Sequence, residues 1–266
     1  MKTAAVIYTG RFGDIVGSLP RSKWLHDHGY EVKHYCCNGF EQIFDATSYV
    51  KARVVPGDVV QAYEAAKKLA VQECDEVFDR QIFPSRTWGY RPSGKTWLEY
   101  YYEDIPELIH TPPLFDVECL PADKRLPPKS LLVSMHGYSS PLDVNWNWVN
   151  AVISSARKTH EIESVFYTCR EDETPFTMHG YYVDHSPQHW LPDLMRSARM
   201  CLFRNSAPAW IAYGVGVPTI HLPDSCFPRT DSAGPAPNLI RLVHGAPMDS
   251  VNEAVDKALA LPWESK

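Results

Sequence analysis

One short stretch sets residues of reactive type close together. Arg11-Phe12-Gly13-Asp14 brings a cation and a carboxylate around a glycine, with Gly10 before it and an apolar run, Ala4-Ala5-Val6-Ile7-Tyr8, in front. A carboxylate on such a turn can take a proton from a hydroxyl within hydrogen-bond reach. Amide N–H groups at a strand-to-helix turn can face an anion. Gly10 and Gly13 are expected to let the main chain turn sharply and admit a ligand, and Asp14 is expected to cap the helix. The pattern also fits an ordinary capped helix after a strand, because a short glycine turn is a weak local signal.

Two further turns have anion-binding chemistry. Phe203-Arg204-Asn205-Ser206-Ala207-Pro208 reads as a strand end followed by a helix start, with Asn205 or Ser206 as cap and Pro208 in the first turn. Free N–H groups, the helix dipole and Arg204 favour a phosphate or diphosphate there, unless this too is only a capped helix. Gly137-Tyr138-Ser139-Ser140 is another post-strand turn able to hydrogen-bond phosphate oxygens. Segment 83–110 mixes Trp88, Tyr90, Trp97, Tyr100, Tyr101 and Tyr102 with Arg86, Arg91 and Lys95. It either stacks a sugar or a base or docks an aromatic face on the core.

These turns need elements to hold them, and the chain supplies an alternating pattern. Strands are expected at 4–9, Glu31–Cys36, Val50–Val55 and Glu76–Asp79, with helices from Asp14 to His28 and from Asp58 to about Gln72. Pro20 either kinks the first helix or restarts it with Ser18 as cap. A short helix is expected around Phe40–Asp45. This strand–helix order implies a parallel sheet, which binds ligands at the carboxyl ends of its strands. Thr111–Lys129 is rich in proline and reads as a stiff linker. After it the plan starts again. Strands are expected at Leu131–Met135, Ser164–Thr168, Tyr181–Val183, Met200–Phe203, Val217–Leu222 and Leu239–Val243. Helices are expected at Trp146–Lys158 and Gln188–Arg199, from the Arg204–Pro208 stretch to Gly214, and at Ser250–Leu261. The expected domains are 1–120 and 121–266.

The chain of 266 residues is 44% apolar, which supports a packed core, and carries a net charge of −6, which disfavours a broad nucleic-acid surface. No 18-residue apolar run is present and the start shows no leader pattern, so a cytoplasmic protein without a membrane span is expected. Seven cysteines without a Cys-x-x-Cys pair read as reduced, packed thiols. His34, Cys36 and Cys37 lack a second ligand cluster to complete a metal site, and no Asp-x-Asp motif occurs.

Gly13-Asp14-Ile15-Val16 with Leu19-Pro20 resembles the start of the ADP-heptose:lipopolysaccharide heptosyltransferases. Leu191-Pro192-Asp193-Leu194-Met195, Cys201 to Pro208 and Ala212 to Thr219 together resemble that family's second signature, in which Asp-Ser-Gly-Pro leads into a short helix and Gly-x-Pro-Thr. The resemblance implies an α/β fold of the GT-B type, with two Rossmann-like domains whose parallel sheets face across a cleft. It implies a nucleotide-diphosphate sugar as donor on the C-terminal side, an acceptor hydroxyl on the N-terminal side, inversion, and no obligatory metal or cofactor. On this reading Asp14 is the base. Gly137, Tyr138, Ser139, Ser140, Arg170, Arg204, Asn205, Ser206 and Ala207 face the donor. Arg11, Phe12, Gly13, Trp88 and Arg91 face the acceptor.

The chain departs from the pattern where Asn205, Ala207 and Trp210 replace the family's acid, glycine and histidine, and no lysine matches the family's mid-chain one. The donor therefore need not be ADP-heptose. Alternatives are a virus-type transferase acting on a hydroxymethylated DNA base, a catalytically silent nucleotide-binding protein of the same fold, and a nucleotide-sugar epimerase.

Overall fold

The computed structural model describes residues 1–81, 97–135, 146–168, 180–183, 187–204, 207–222, 236–242 and 246–263. They fall into two compact units that part between Cys119 and Leu120.

In the first unit, β1 (Lys2–Ile7), β2 (Tyr30–Cys37), β3 (Lys51–Val55) and β4 (Glu76–Asp79) form a parallel sheet in the order β3-β2-β1-β4. β1 lies inside the sheet and Ala4 to Tyr8 are buried, which explains an unbroken apolar run where a half-exposed strand would alternate. Helix α1 (Phe12–Asp27) joins β1 to β2, and α2 (Val59–Glu73) joins β3 to β4. Asp58 caps α2 through a capping box with Gln61. Ala62, Ala66 and Ala70 let that helix lie close on Ala5, Ile7 and Tyr35. The 310 segment Glu41–Ala46 stands where a short helix was expected.

Helix α1 runs unbroken through Pro20. Ser18 does not restart it, since its Oγ donates back to the Ile15 carbonyl at 2.7 Å. Proline removes one N–H from the ladder, and close by the Tyr102 hydroxyl donates to the Gly17 carbonyl at 2.7 Å. Tyr102 follows α3 (Trp97–Tyr101). Tyr101 and Tyr102 are buried, so this part of the aromatic segment is core. The fully buried Arg21 fixes it: Nη1 and Nη2 donate to the two carboxylate oxygens of Asp104 at 2.8 and 2.7 Å, and Nη2 donates to the Tyr101 carbonyl. The guanidinium lies 5.1 Å from the Tyr101 ring centre and 5.6 Å from that of Tyr102.

The second unit holds a six-stranded parallel sheet of order β10-β9-β8-β5-β6-β7. Its strands are β5 (Ser130–Ser134), β6 (Ser164–Tyr167), β7 (Tyr181–Tyr182), β8 (Met200–Arg204), β9 (Thr219–Leu222) and β10 (Leu239–Arg241). Helices α4 (Trp146–Lys158) and α7 (Met248–Ala260) cover one face, through Val149, Val152, Val251 and Val255. The remaining helices are α5 (Leu191–Ser197), entered by a 310 turn at Gln188–Trp190, and α6 (Ala207–Val215).

Within each unit the proline-rich stretch is held by hydrogen bonds. Tyr49 Oη donates to the Leu114 carbonyl, and Ser48 N–H donates to Asp116, in the first unit. The N–H groups of Leu120 and Leu126 donate to Asp193 and Ser197 in the second. Among the described residues no helix is long and apolar enough to cross a membrane.

Candidate functional site

The turn after β1 brings Arg11, Phe12, Gly13 and Asp14 to the carboxyl edge of the first sheet. Its geometry differs from the expectation in two ways. First, Asp14 is not the cap. Arg11 is, with no side-chain cap bond, and Asp14 stands in the first turn of α1, where a carboxylate meets the positive end of the helix dipole. Second, the sharp turn does not fall on a glycine. Arg11 itself takes φ 62° and ψ 107°, a strained conformation for a residue with a β-carbon. Gly10 is required for a different reason: a β-carbon there would lie 2.4 Å from Cγ1 of Val59 at the start of α2.

Asp14 is half-buried as a residue, and its carboxyl sits in dense surroundings. Burial pushes its pKa from 3.8 up to about 7, against the opposing effects of the Arg11 cation and the nearby Tyr8 hydroxyl. A carboxyl so placed can exchange a proton near neutral pH. Tyr8 packs its ring 5.7 Å from that of Tyr101. Phe12 stacks on Phe40 from the loop after β2, with ring centres 6.3 Å apart and planes 11° from parallel.

Several residues that shape this edge carry no local signal. Thr9 and Gln81 are buried and bonded to each other, Thr9 N–H donating to Gln81 Oε1 at 2.7 Å. Tyr8 could have been suspected, as a hydroxyl at the end of an apolar strand beside the turn. Gln81 could be found only through topology, which puts the residues after β4 at the same edge as those after β1.

In the second unit, Arg204 is the last residue of β8 and is buried, where the strand was expected to end at Phe203 and Arg204 to open the helix stretch. Ala207 begins α6, with Pro208 in its first turn. His221 of β9 pairs in register with Arg241 of β10, and burial with that cation beside it pushes the imidazole down to about 4. Gly137, Tyr138, Ser139, Ser140, Arg170, Asn205, Ser206, Trp88 and Arg91 lie outside the described residues.

Among the described residues no group of three or more His, Cys, Asp and Glu side chains is placed to hold a metal ion. Among the described residues, Cys36, Cys37, Cys74, Cys119 and Cys201 form no disulfide. Burial pushes the Cys36 thiol up to about 12, so it behaves as a packed apolar group.

Two Rossmann-like units with parallel sheets in one chain are the architecture of the GT-B glycosyltransferases. The chain is similar to the structure of a glycosyl transferase family 9 protein from Veillonella parvula, with a TM-score of 0.67 and 11% identity over 97% of each chain. It is similar to E. coli heptosyltransferase WaaC with ADP, with a TM-score of 0.65 and 12% identity over 96% of this chain and 99% of that one. It is also similar to E. coli ADP-heptose lps heptosyltransferase II, with a TM-score of 0.62 and 10% identity over 97% and 98%. These likenesses establish the fold. No protein-family model and no curated protein matches the sequence.

Proposed function

We propose that the protein is a glycosyltransferase that moves a sugar from a nucleotide-diphosphate sugar to an acceptor hydroxyl with inversion, in the cytoplasm. One observation carries the reading. Asp14 stands half-buried at the carboxyl edge of the first sheet, with a pKa pushed up to about 7, in a fold shared along 97% of the chain with a glycosyl transferase. Ionised Asp14 takes the proton of the acceptor hydroxyl. The freed oxygen attacks the anomeric carbon from the face opposite the diphosphate, whose bond to the sugar breaks. Charge grows on the leaving diphosphate, and Arg204 with the N–H groups at the start of α6 is suited to stabilise it. The acceptor would lie on the first unit beside Arg11, Phe12 and Asp14. Structures of the similar E. coli heptosyltransferase WaaC hold ADP or ADP-2-deoxy-2-fluoro heptose, which supports a purine nucleotide as the first donor to try.

The test is mass spectrometry of the full chain incubated with a panel of nucleotide-diphosphate sugars and saccharide acceptors. The expected result is an acceptor heavier by one sugar, with Asp14→Asn slower by about 10²–10⁴-fold. Donor binding without turnover, equal in wild type and Asp14→Asn, would overturn the assignment in favour of a silent binding protein. A rearranged donor formed without acceptor would point to an epimerase instead.

A further inference from the structure

The Asp14 turn is held by a side chain 72 positions further along the chain than Thr9. Gln81 follows β4 at the carboxyl edge and is 1% exposed. Its Oε1 accepts the Thr9 backbone N–H at 2.7 Å, and its Nε2 donates to Thr9 Oγ1 at 3.1 Å. Thr9 Oγ1 in turn donates to the Val59 carbonyl at 3.1 Å. With this orientation of the amide the single Thr9 hydroxyl proton goes to the Val59 carbonyl rather than to Gln81 Oε1, which lies 3.2 Å away. Gln81 is itself anchored, since its N–H donates to Asp79 Oδ1 at 3.3 Å and the other oxygen of Asp79 accepts from the Tyr63 hydroxyl at 2.7 Å. A line of bonds thus runs from α2 through the end of β4 to the residue two before Arg11.

A residue held at φ 62° with a β-carbon persists only where its surroundings over-determine it. Downstream, the N–H groups of Asp14 and Ile15 donate to the Arg11 carbonyl at 3.0 and 3.1 Å. Upstream, the bonds to Thr9 supply the other anchor, and Gly10 is wedged against Val59. We propose that Gln81 is a positioning residue of the transfer reaction: through Thr9 it locks the Arg11 turn in the conformation that aims the Asp14 carboxylate at the acceptor hydroxyl. The inference rests on Asp14 being the base.

The burial of the carboxylate belongs to the same turn. If the turn relaxes, Asp14 gains water and its pKa moves back toward the ordinary carboxylate value. The groups that act on it are Arg11 from its own turn and Tyr8 from the end of β1, the latter packed on Tyr101 of α3. Gln81 is not among these groups, so a change there reaches the Asp14 titration only through the turn.

The test uses the full chain with Gln81→Leu and with Thr9→Val, a near-isosteric change that keeps the Thr9 N–H bond. Carboxyl ¹³C NMR, with the Asp14 signal assigned by its loss in Asp14→Asn, reads the titration without requiring turnover. The expected result is a pKa lower by about one unit or more in Gln81→Leu, and a smaller fall in Thr9→Val. In the transfer assay kcat should drop by about 10–100-fold while the donor KM holds, and the acid limb of kcat should follow the NMR value. A merely structural role would lower the unfolding midpoint without moving that limb. If Gln81→Leu does not fold, Thr9→Val decides. An unchanged Asp14 titration in the folded variants overturns the role of Gln81 even where Asp14 is essential. Full activity of Asp14→Asn overturns the base assignment, and this role with it, whatever the titration shows.

Discussion

Replacing Asp14 by asparagine should remove activity and at the same time stabilise the first unit, by an amount that depends on pH. Burial raises the carboxyl from 3.8 to about 7. The folded chain therefore holds this proton more tightly than the unfolded chain. Between about pH 4 and pH 7 folding takes up a proton, so stability falls as pH rises through that window. Above the window the whole penalty is present; below it the penalty is gone. One pKa unit is worth about 1.4 kcal/mol, so the penalty is at most about 4 kcal/mol. Asparagine keeps the shape and loses the charge, and with it the attraction to Arg11. The net gain expected at pH 8 is then about 2–4 kcal/mol, shrinking toward zero near pH 4.

The measurement is hydrogen exchange of the β1 and β2 amides in wild type and Asp14→Asn under mild urea, from pH 4.5 to 8. It follows the first unit by itself and does not assume that both units unfold together. His34 titrates in the same unit. Its imidazole is buried and lowered to about 3, so it costs stability as pH falls. It is present in both proteins and drops out of the difference. A gain that is the same at every pH, or a loss at pH 8, would show that the Asp14 carboxylate is not desolvated. The base assignment would then lose its main support.

Three other perturbations test neighbouring parts of the structure. Gly10→Ala puts a β-carbon 2.4 Å from Val59 Cγ1; urea unfolding should show a loss of about 1–3 kcal/mol, mostly recovered when Val59→Ala is added. Asp104→Asn removes the counter-charge of a fully buried guanidinium. It should lower stability by about 3 kcal/mol in the same assay, with little relief from 0.5 M salt because the cation is out of reach of screening ions. Arg11→Gly relieves the backbone at φ 62° and removes the cation that lowers the Asp14 pKa. Stability at pH 5 should rise by about 1 kcal/mol, and the acid limb of transfer should move to higher pH.

How much of this the chain reveals in one dimension depends on the range of the interaction. β1 was legible because a strand buried on both faces needs an unbroken apolar run. α2 was legible because Asp58 precedes an alanine-rich stripe. Both are consequences of neighbours in sequence. The turn at Arg11 was misplaced because glycine is the default for such a conformation, and nothing local marks an arginine made to adopt it. The partners that hold it there are distant: Thr9 meets Gln81 across 72 positions and Arg21 meets Asp104 across 83. Tyr101 and Tyr102 were ambiguous for the same reason. An aromatic beside a cation looks alike whether the cation is a buried Arg21 or lines an open cleft.

The carboxyl edge of the first sheet concentrates unfavourable terms that the rest of the unit opposes. A desolvated carboxylate and an arginine in a strained conformation each cost free energy in the folded state. Both lie within four residues, and just before them the contacts are closely determined: a glycine that tolerates no β-carbon, and a threonine with its N–H and hydroxyl both engaged. A turn that served only to connect β1 to α1 would have no need of this. Asparagine at 14 and glycine at 11 would give a more stable connection at neutral pH. The chain keeps the costlier residues at the one edge where a parallel sheet presents its ligands, which is where a proton-accepting carboxylate is of use.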